Sequence, residues 1–388
     1  MISAMKLLRL VCFLSIMCYG ISLTVIGPAL GEVGESFGLT TSRLGLLTTA
    51  LSVGLLISVL LCGYIVDRTP VKLVIILGQL ILAAGLLMFS RTDVFSVALV
   101  AFFMMGIAGG VIEVVTNTII ANEYAHNRGL GMNILHSFFG IGALIGPFFS
   151  GLFLDMGYSW RFTYMDVSLL SGLTLILLII TEFPRQVDSD RIELSTAINI
   201  VKNPYALLLG LLVLFYVGSE MGINYWSVLY MERRMDISTL IASSYLSYFW
   251  IAMTAGRYVC AAAAKKIGEW ALLSILTVGA LVGYALFLMV DAGWAAGIAM
   301  TGAGLFFSGI FPIIMALGGN RFSHALGSIN GFLMSFMAGG MLIFPWLVGV
   351  IAQRTSLDIG MMFILVLMLL LAIGSFLLGP LGARQKQS

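Results

Sequence analysis

Two acidic residues lie within apolar stretches of the chain, and each is followed by an amide four residues later. Glu113 precedes Asn117, and Glu220 precedes Asn224. This spacing places both side chains on one face of a helix. An ionised carboxylate in the middle of a bilayer costs roughly 2.5–3.5 kcal/mol unless it faces water or a partner. Because burial favours the neutral form of a carboxylic acid, Glu113 and Glu220 are candidates for binding and releasing protons.

Further polar and aromatic side chains in apolar segments are candidates for contact with a polar solute. An aromatic ring beside a carboxylate and an amide suits a sugar, because its C–H faces stack on rings while its hydroxyls need donors and acceptors. His136 equally suits a fixed hydrogen-bond partner, and Trp226 equally suits an anchor at the membrane interface. The candidate substrate-binding residues are Asn117, Asn133, His136, Tyr216, Asn224, Trp226, Trp250 and Asn330.

The composition indicates that lipid surrounds most of the chain. Hydrophobic residues make up 60% of it and charged residues only 10%, whereas about 25% are charged in ordinary soluble domains. Continuous apolar runs of about 20 residues predict membrane-spanning helices and exclude a barrel, whose strands alternate in polarity. We predict twelve spans, near residues 8–30, 44–66, 73–90, 96–121, 131–154, 162–181, 204–230, 239–262, 270–290, 293–318, 328–352 and 360–380.

Lysine and arginine are concentrated on alternate loops, and this bias predicts that both termini are cytoplasmic. The expected location is a bacterial inner membrane, crossed many times. The formal net charge of +2 is spread over the loops, so no nucleic-acid partner is expected. The four cysteines fall within predicted helices without metal-like spacing, so neither a metal nor a cofactor is expected. Arg257 is expected to point towards the cytoplasmic side, where two lysines follow it.

The chain consists of one six-helix plan written twice. A shift of 198 positions aligns Gly20 with Gly218 and Pro147 with Pro345. Two six-helix repeats of the same topology are typical of transporters that bind their substrate near the bilayer midplane. The predicted organisation is an N-terminal bundle over residues 1–181, a polar cytoplasmic linker over 182–202 and a C-terminal bundle over 203–388.

The second cytoplasmic loop carries the pattern G-x-x-x-D-R-x-x-x-K, which resembles the signature of the major facilitator superfamily. The glycine permits close helix approach, and the charges can hold neighbouring helix ends together in one conformation. The same residues also fit an ordinary positively charged inner loop. The candidate latch residues are Gly63, Asp67, Arg68, Lys72 and Arg128.

Several segments resemble one family of that superfamily, the fucose/galactose/glucose:proton symporters. The similar segments are residues 113–117, 136–143, 216–220, 256–257 and 309–312. The resemblance implies a proton-coupled sugar importer in which Glu113 is the matching intramembrane carboxylate. Fucose-type members also carry an aspartate in the first helix, and this chain has none before Gly31. Glu220 as a second coupling carboxylate is our own hypothesis.

We therefore expect a monomeric twelve-helix facilitator that imports a neutral, glucose-like hexose with protons. Coupling to Na⁺ stays an alternative, because acidic and amide oxygens also suit a small hard cation. A second alternative is an exporter of amphipathic drugs or lipids, since 22 methionines and 25 phenylalanines suit an adaptable cavity. An enzyme is not expected, because nucleophile and metal-ligand motifs are missing from the sequence.

Overall fold

In this computed structural model the described residues are 4–66, 68–124, 128–183, 200 and 202–384, and all regular secondary structure within them is helical. The first half contains α1 (Ala4–Thr24), α2 (Ile26–Phe37), α3 (Thr41–Val66), α4 (Val71–Arg91), α5 (Phe95–Glu123), α6 (Arg128–Asp155) and α7 (Trp160–Ile180). The second half contains α8 (Pro204–Met235), α9 (Thr239–Ile267), α10 (Glu269–Met289), α11 (Gly293–Phe307), α12 (Ile310–Arg321), a 3₁₀ turn (Ser323–Ala325), α13 (Leu326–Arg354) and α14 (Leu357–Arg384).

Within the described residues, eleven helical stretches are long and apolar enough to cross a membrane. They correspond to all the predicted spans except the eighth, and α11 with α12 counts as one of them. The eighth predicted span is α9, which is 29 residues long but rich in Ser and Tyr and carries Arg257. These polar residues explain why α9 is less apolar than the helices around it.

Two predicted spans are interrupted, each about one turn before a proline, whereas Pro147 and Pro345 lie inside continuous helices. A helical proline has no N–H to donate to the carbonyl four residues earlier. Pro28 therefore leaves the Thr24 carbonyl free, and α1 ends at that residue. Pro312 likewise leaves the carbonyl of Ser308 free, in the two-residue gap between α11 and α12.

The residues cluster into two compact units, one formed by residues 1–189 with 238–247 and the other by 190–237 with 248–388. The start of α9 belongs to the first unit, where the hydroxyl of Ser247 donates a hydrogen bond to the Leu144 carbonyl at 3.0 Å. Most of the predicted linker, 182–202, lies outside the described residues. The predicted domain boundaries therefore stay a prediction.

Glycines allow close contacts between helices in both units. In the first unit Gly106 of α5 lies directly against the Leu51 carbonyl of α3. In the second unit Gly304 of α11 lies against the Phe249 carbonyl of α9. Gly304 and Phe249 each follow their counterparts in the first unit, Gly106 and Leu51, by 198 positions. A side chain at either glycine would collide with backbone, so the repeat extends to the contacts that fix helix packing.

Candidate functional site

The first candidate centre is on α5, within the first unit. Glu113 is half-buried near the middle of this 29-residue helix, and Asn117 follows one turn later. Among the described residues, the Glu113 carboxyl makes no hydrogen bond or ion pair. The side-chain oxygen of Asn117, Oδ1, is buried and has no hydrogen-bond partner among those residues. The two side chains therefore place acceptor oxygens in the span without a donor to satisfy them.

Glycines before Glu113 bring two neighbouring helices close to this centre. Gly109 lies against the ring of Tyr19 on α1, and Gly110 lies against the hydroxyl of Ser58 on α3. Helical side chains lean towards the preceding turn, so Glu113 leans towards the turn that contains both glycines. Tyr19 was not among the predicted site residues, and no pattern along the chain indicates its contact with a glycine of another helix.

The other candidates in the first unit lie on α6. Asn133 is exposed, and His136 is half-buried and engaged in an interaction within the protein. The backbone carbonyl of Asn133 accepts a hydrogen bond from the Ser137 hydroxyl at 2.7 Å. Their contact with a solute stays a prediction.

The second candidate centre is on α8, within the second unit. Glu220 is 8% exposed, and its Oε1 atom accepts a hydrogen bond from the Tyr216 hydroxyl at 3.1 Å. The Tyr216 ring lies beside two phenylalanines, with centroid distances of 5.6 Å to Phe307 and 6.2 Å to Phe311. The Tyr216 hydroxyl thus orients a buried carboxyl beside aromatic side chains. Such a group of side chains suits a ligand that has both hydroxyls and apolar faces.

One turn further along α8, Asn224 is fully buried. Its Oδ1 atom accepts a hydrogen bond from the indole nitrogen of Trp250 on α9 at 3.2 Å. This bond fixes the orientation of the amide, because it identifies the acceptor end of the group. The structure therefore brings two predicted site residues together across α8 and α9.

Trp226 and Asn330 differ from each other in their surroundings. Trp226 is 1% exposed, and its indole nitrogen donates to the Pro345 carbonyl at 2.9 Å. Since an indole has a single donor, this bond leaves Trp226 no further hydrogen bond to donate to a solute. Asn330 on α13 is exposed. Binding of a solute by either residue stays a prediction.

Arg257 on α9 is half-buried. The sequence predicted that it points towards the cytoplasmic side, and this orientation stays a prediction; its Nε atom is buried and has no hydrogen-bond partner among the described residues. It interacts electrostatically with Glu220 and Tyr216. An arginine within a span is by default a functional candidate, and this signal was available in the sequence. The two lysines that follow, Lys265 and Lys266, suggested an interfacial position instead.

The predicted latch is only partly described. Asp67 lies outside the described residues, as do the side-chain surroundings of Gly63 and Arg128. Arg68 is exposed and engaged in an interaction within the protein. The Lys72 amine donates to the Ile179 carbonyl at the end of α7 at 2.8 Å. The pairing of Asp67 with Arg128 stays a prediction.

A further ion pair joins α1 to the end of α5. Arg9 Nε donates to Glu123 Oε2 at 3.2 Å, and its guanidinium lies 4.7 Å from the ring centroid of Tyr124. No sequence pattern indicates this pair, since 114 positions separate its members. It holds the helix that carries Glu113 to α1.

In the described part of the chain, no group of three or more His, Cys, Asp or Glu side chains is arranged to hold a metal ion. The four cysteines are buried and unpaired with one another. The side chains described in the two centres can exchange protons, form hydrogen bonds and stack on rings.

Long apolar helices that carry carboxyl, amide and guanidinium groups within their spans define a multi-pass membrane protein of the transporter class. The model of the Major Facilitator Superfamily matches residues 12–345. The chain belongs to this superfamily, as the sequence predicted, and is a transport protein rather than an enzyme.

Similar proteins agree with this assignment. The Protein TsgA homolog of Edwardsiella ictaluri is 23% identical over 340 residues, which cover 86% of this chain and 85% of that protein. The solved structure of the nucleoside transporter NupG has a TM-score of 0.80 at 15% identity, and the match covers 97% of this chain and 99% of its own. A D-xylose-proton symporter has a TM-score of 0.79 at 16% identity, with 97% of each chain covered. These two structures show a shared fold.

Proposed function

We propose that this protein imports a neutral, glucose-like hexose together with a proton by alternating access. The observation that carries the proposal is the centre on α5. There the Glu113 carboxyl has no hydrogen-bond partner among the described residues, and Asn117 Oδ1 is buried without one. An unsatisfied buried acceptor such as Asn117 Oδ1 is costly in an apolar span, and a solute hydroxyl satisfies it. The half-buried Glu113 carboxyl beside it can take up a proton.

In this proposal Glu113 exchanges the proton. A neutral carboxylic acid can donate a hydrogen bond to a sugar hydroxyl, whereas a carboxylate cannot. Protonation of Glu113 therefore strengthens sugar binding, and by linkage bound sugar strengthens proton binding. The sugar and the proton cross the membrane together if the protein changes conformation readily only when it is empty or when it holds both.

The centre on α8 supplies the second set of contacts. Tyr216 orients Glu220, which we propose as a second coupling carboxyl, and Trp250 orients the amide of Asn224. The hydroxyls and C–H faces of a pyranose match this mixture of amide, carboxyl and aromatic groups. The proposed sugar contacts are Asn117, Asn133, His136, Tyr216, Asn224, Trp226, Trp250 and Asn330.

The similarity to sugar:proton symporters supports the substrate class. The resemblance seen in the sequence includes the Glu113–Asn117 segment, and one structure with the same fold is that of a D-xylose-proton symporter. The proposed setting is a monomer in a bacterial inner membrane with both termini cytoplasmic. Gly63, Asp67, Arg68, Lys72 and Arg128 are the proposed latch between conformations.

Uptake into proteoliposomes tests the proposal. An inward proton gradient of one pH unit should drive about tenfold accumulation of a radiolabelled hexose for each coupled proton. Glu113→Gln should abolish uphill accumulation while exchange of sugar across the membrane persists. The exposed residue Glu35 provides a matched control, because Glu35→Gln removes the same charge outside the spans and should leave accumulation unchanged.

Three results of uptake measurements would contradict parts of the proposal. Uphill uptake by Glu113→Gln equal to that of the unchanged protein would remove Glu113 from the mechanism. Accumulation driven by a sodium gradient at equal pH on both sides would replace the proton by Na⁺. Uptake of a nucleoside or a lipophilic cation, with no uptake of any sugar, would overturn the substrate class.

A further inference from the structure

The guanidinium of Arg257 is a charged group that the proposed hexose transport does not use. Arg257 lies ten residues before the end of α9, which is about 15 Å along the helix axis. Its Nε atom is buried and makes no hydrogen bond within the described part of the chain. Among the described residues no carboxylate lies within 4.0 Å of its nitrogens, so the four ion pairs found there all involve other residues.

A cation at this position needs an anion. Buried charges in spans are paired or exposed to a water-filled cavity, because an isolated ion loses its hydration energy. Arg257 lies within electrostatic range of the Glu220 carboxyl and the Tyr216 hydroxyl, both on α8. One Glu220 oxygen already accepts the Tyr216 hydroxyl at 3.1 Å. Among the described residues, no carboxylate therefore accepts a hydrogen bond from the planar guanidinium of Arg257.

The charge of this centre depends on a single proton. With Glu220 ionised, the carboxylate and the guanidinium balance each other, and a neutral solute leaves the balance intact. With Glu220 protonated, the centre carries one positive charge. A solute with one negative charge then restores neutrality within the span, where an unbalanced charge is unfavourable.

The surroundings select the type of anion. A guanidinium fork matches a carboxylate with two parallel hydrogen bonds. The ring of Tyr216 and the half-buried ring of Phe311 lie nearly parallel, with an interplanar angle of 23°. The partly accessible ring of Phe311, unlike the buried ring of Tyr216, can stack on the C–H face of a pyranose, and it adds nothing for a bare inorganic anion.

We propose that Arg257 binds the carboxylate of a second class of substrate, a monosaccharide that carries one acidic group, such as a hexuronate. This inference rests on the proposed transport of monosaccharides and extends it to acidic members of the class. Glu220 is the competing internal carboxylate, and its protonation accompanies binding of the acidic sugar. Arg257 takes no part in binding a neutral hexose.

Calorimetric titration of the purified full-length protein tests the proposal. The probes are D-glucuronate, D-galacturonate, D-glucose and acetate. A hexuronate should bind the unchanged protein, and Arg257→Gln should weaken this binding at least about 30-fold, since loss of one partner of a buried charge pair costs roughly 2–5 kcal/mol. Binding of D-glucose should change less than about threefold. Arg257→Lys should give an intermediate loss, because it keeps the charge but not the fork.

The Glu220→Gln variant separates this proposal from nonspecific attraction of anions. Removal of the competing carboxylate should preserve or strengthen hexuronate binding, whereas a general loss of structure would weaken it. Acetate should bind far more weakly than the hexuronate, because it lacks the sugar ring.

Each contrary result has a distinct meaning. If D-glucose binds and no hexuronate binds the unchanged protein, the inference fails and the proposed function stands. If Arg257→Gln binds hexuronate as tightly as the unchanged protein, Arg257 is not the binding group. If neither class of sugar binds, the proposed function fails and the inference fails with it. If Arg257→Gln does not fold, the titration of the unchanged protein and Arg257→Lys decide.

Discussion

The hydrogen bond between Tyr216 and Glu220 allows a direct measurement of how the α8 centre is held together. Tyr216→Phe removes only the hydroxyl that donates to Glu220 Oε1 at 3.1 Å. Loss of such a bond costs about 0.5–1.5 kcal/mol for a neutral acceptor and about 1.5–3 kcal/mol for a charged one. For a unit of about 190 residues, the midpoint of thermal unfolding should fall by about 1–6 °C if the Glu220 carboxyl is neutral and by about 3–12 °C if it is charged.

The same helix offers a matched control. Tyr225 is also fully buried, but its hydroxyl has no hydrogen-bond partner among the described residues. Tyr225→Phe therefore removes an unsatisfied polar atom, and the expected change in stability is neutral or favourable. Both variants lose one oxygen from one tyrosine, so the difference between them isolates the bond to Glu220.

Intrinsic fluorescence during heating of the purified protein measures both midpoints. In a Glu220→Met background the acceptor is missing, so the difference between the two phenylalanine variants should disappear. Equal midpoints for Tyr216→Phe and Tyr225→Phe would refute the assigned bond. A difference that persists in the Glu220→Met background would assign the effect to ring packing instead.

Two further predictions concern helix packing. Gly106→Ala places a methyl group on the Leu51 carbonyl and should destabilise the protein by about 1–3 kcal/mol. In the control variant Gly172→Ala the methyl group meets open space, so the change should be neutral or stabilising. A lower unfolding midpoint for Gly172→Ala than for Gly106→Ala would contradict the packing of α5 on α3. A double-mutant cycle of Arg9→Gln and Glu123→Gln should show a coupling energy of about 0.5–1 kcal/mol that falls at high salt, and additive effects would show that the 3.2 Å pair contributes nothing to stability.

The sequence predicted the helices and the repeat well, because both depend on patterns along the chain. Apolar runs of membrane length predicted the spans. The shift of 198 positions, found from a few glycines and prolines, also relates the contacts of Gly106 and Gly304. The interruptions before Pro28 and Pro312 agree with the local loss of an N–H donor, but Pro147 and Pro345 lie inside continuous helices, so a proline alone does not predict a break.

Contacts between helices were not predictable from the same patterns. The indole of Trp226 donates to the Pro345 carbonyl, 119 positions away, and only the packing of α8 against α13 decides this. The hydrogen bond between Trp250 and Asn224 likewise depends on how α9 lies beside α8. Sequence spacing identified the acidic and amide residues but not the groups that orient them.

Proton-coupled import of sugar can be followed through the movement of protons that sugar induces. Right-side-out vesicles containing the protein are placed in a weakly buffered medium without an imposed gradient, and hexose is added while the external pH is recorded. If proton and sugar move together, the medium becomes more alkaline as sugar enters, and Glu113→Gln vesicles take up sugar without any change in pH. Sugar entry through the unchanged protein at constant external pH would show that no proton is imported with the sugar.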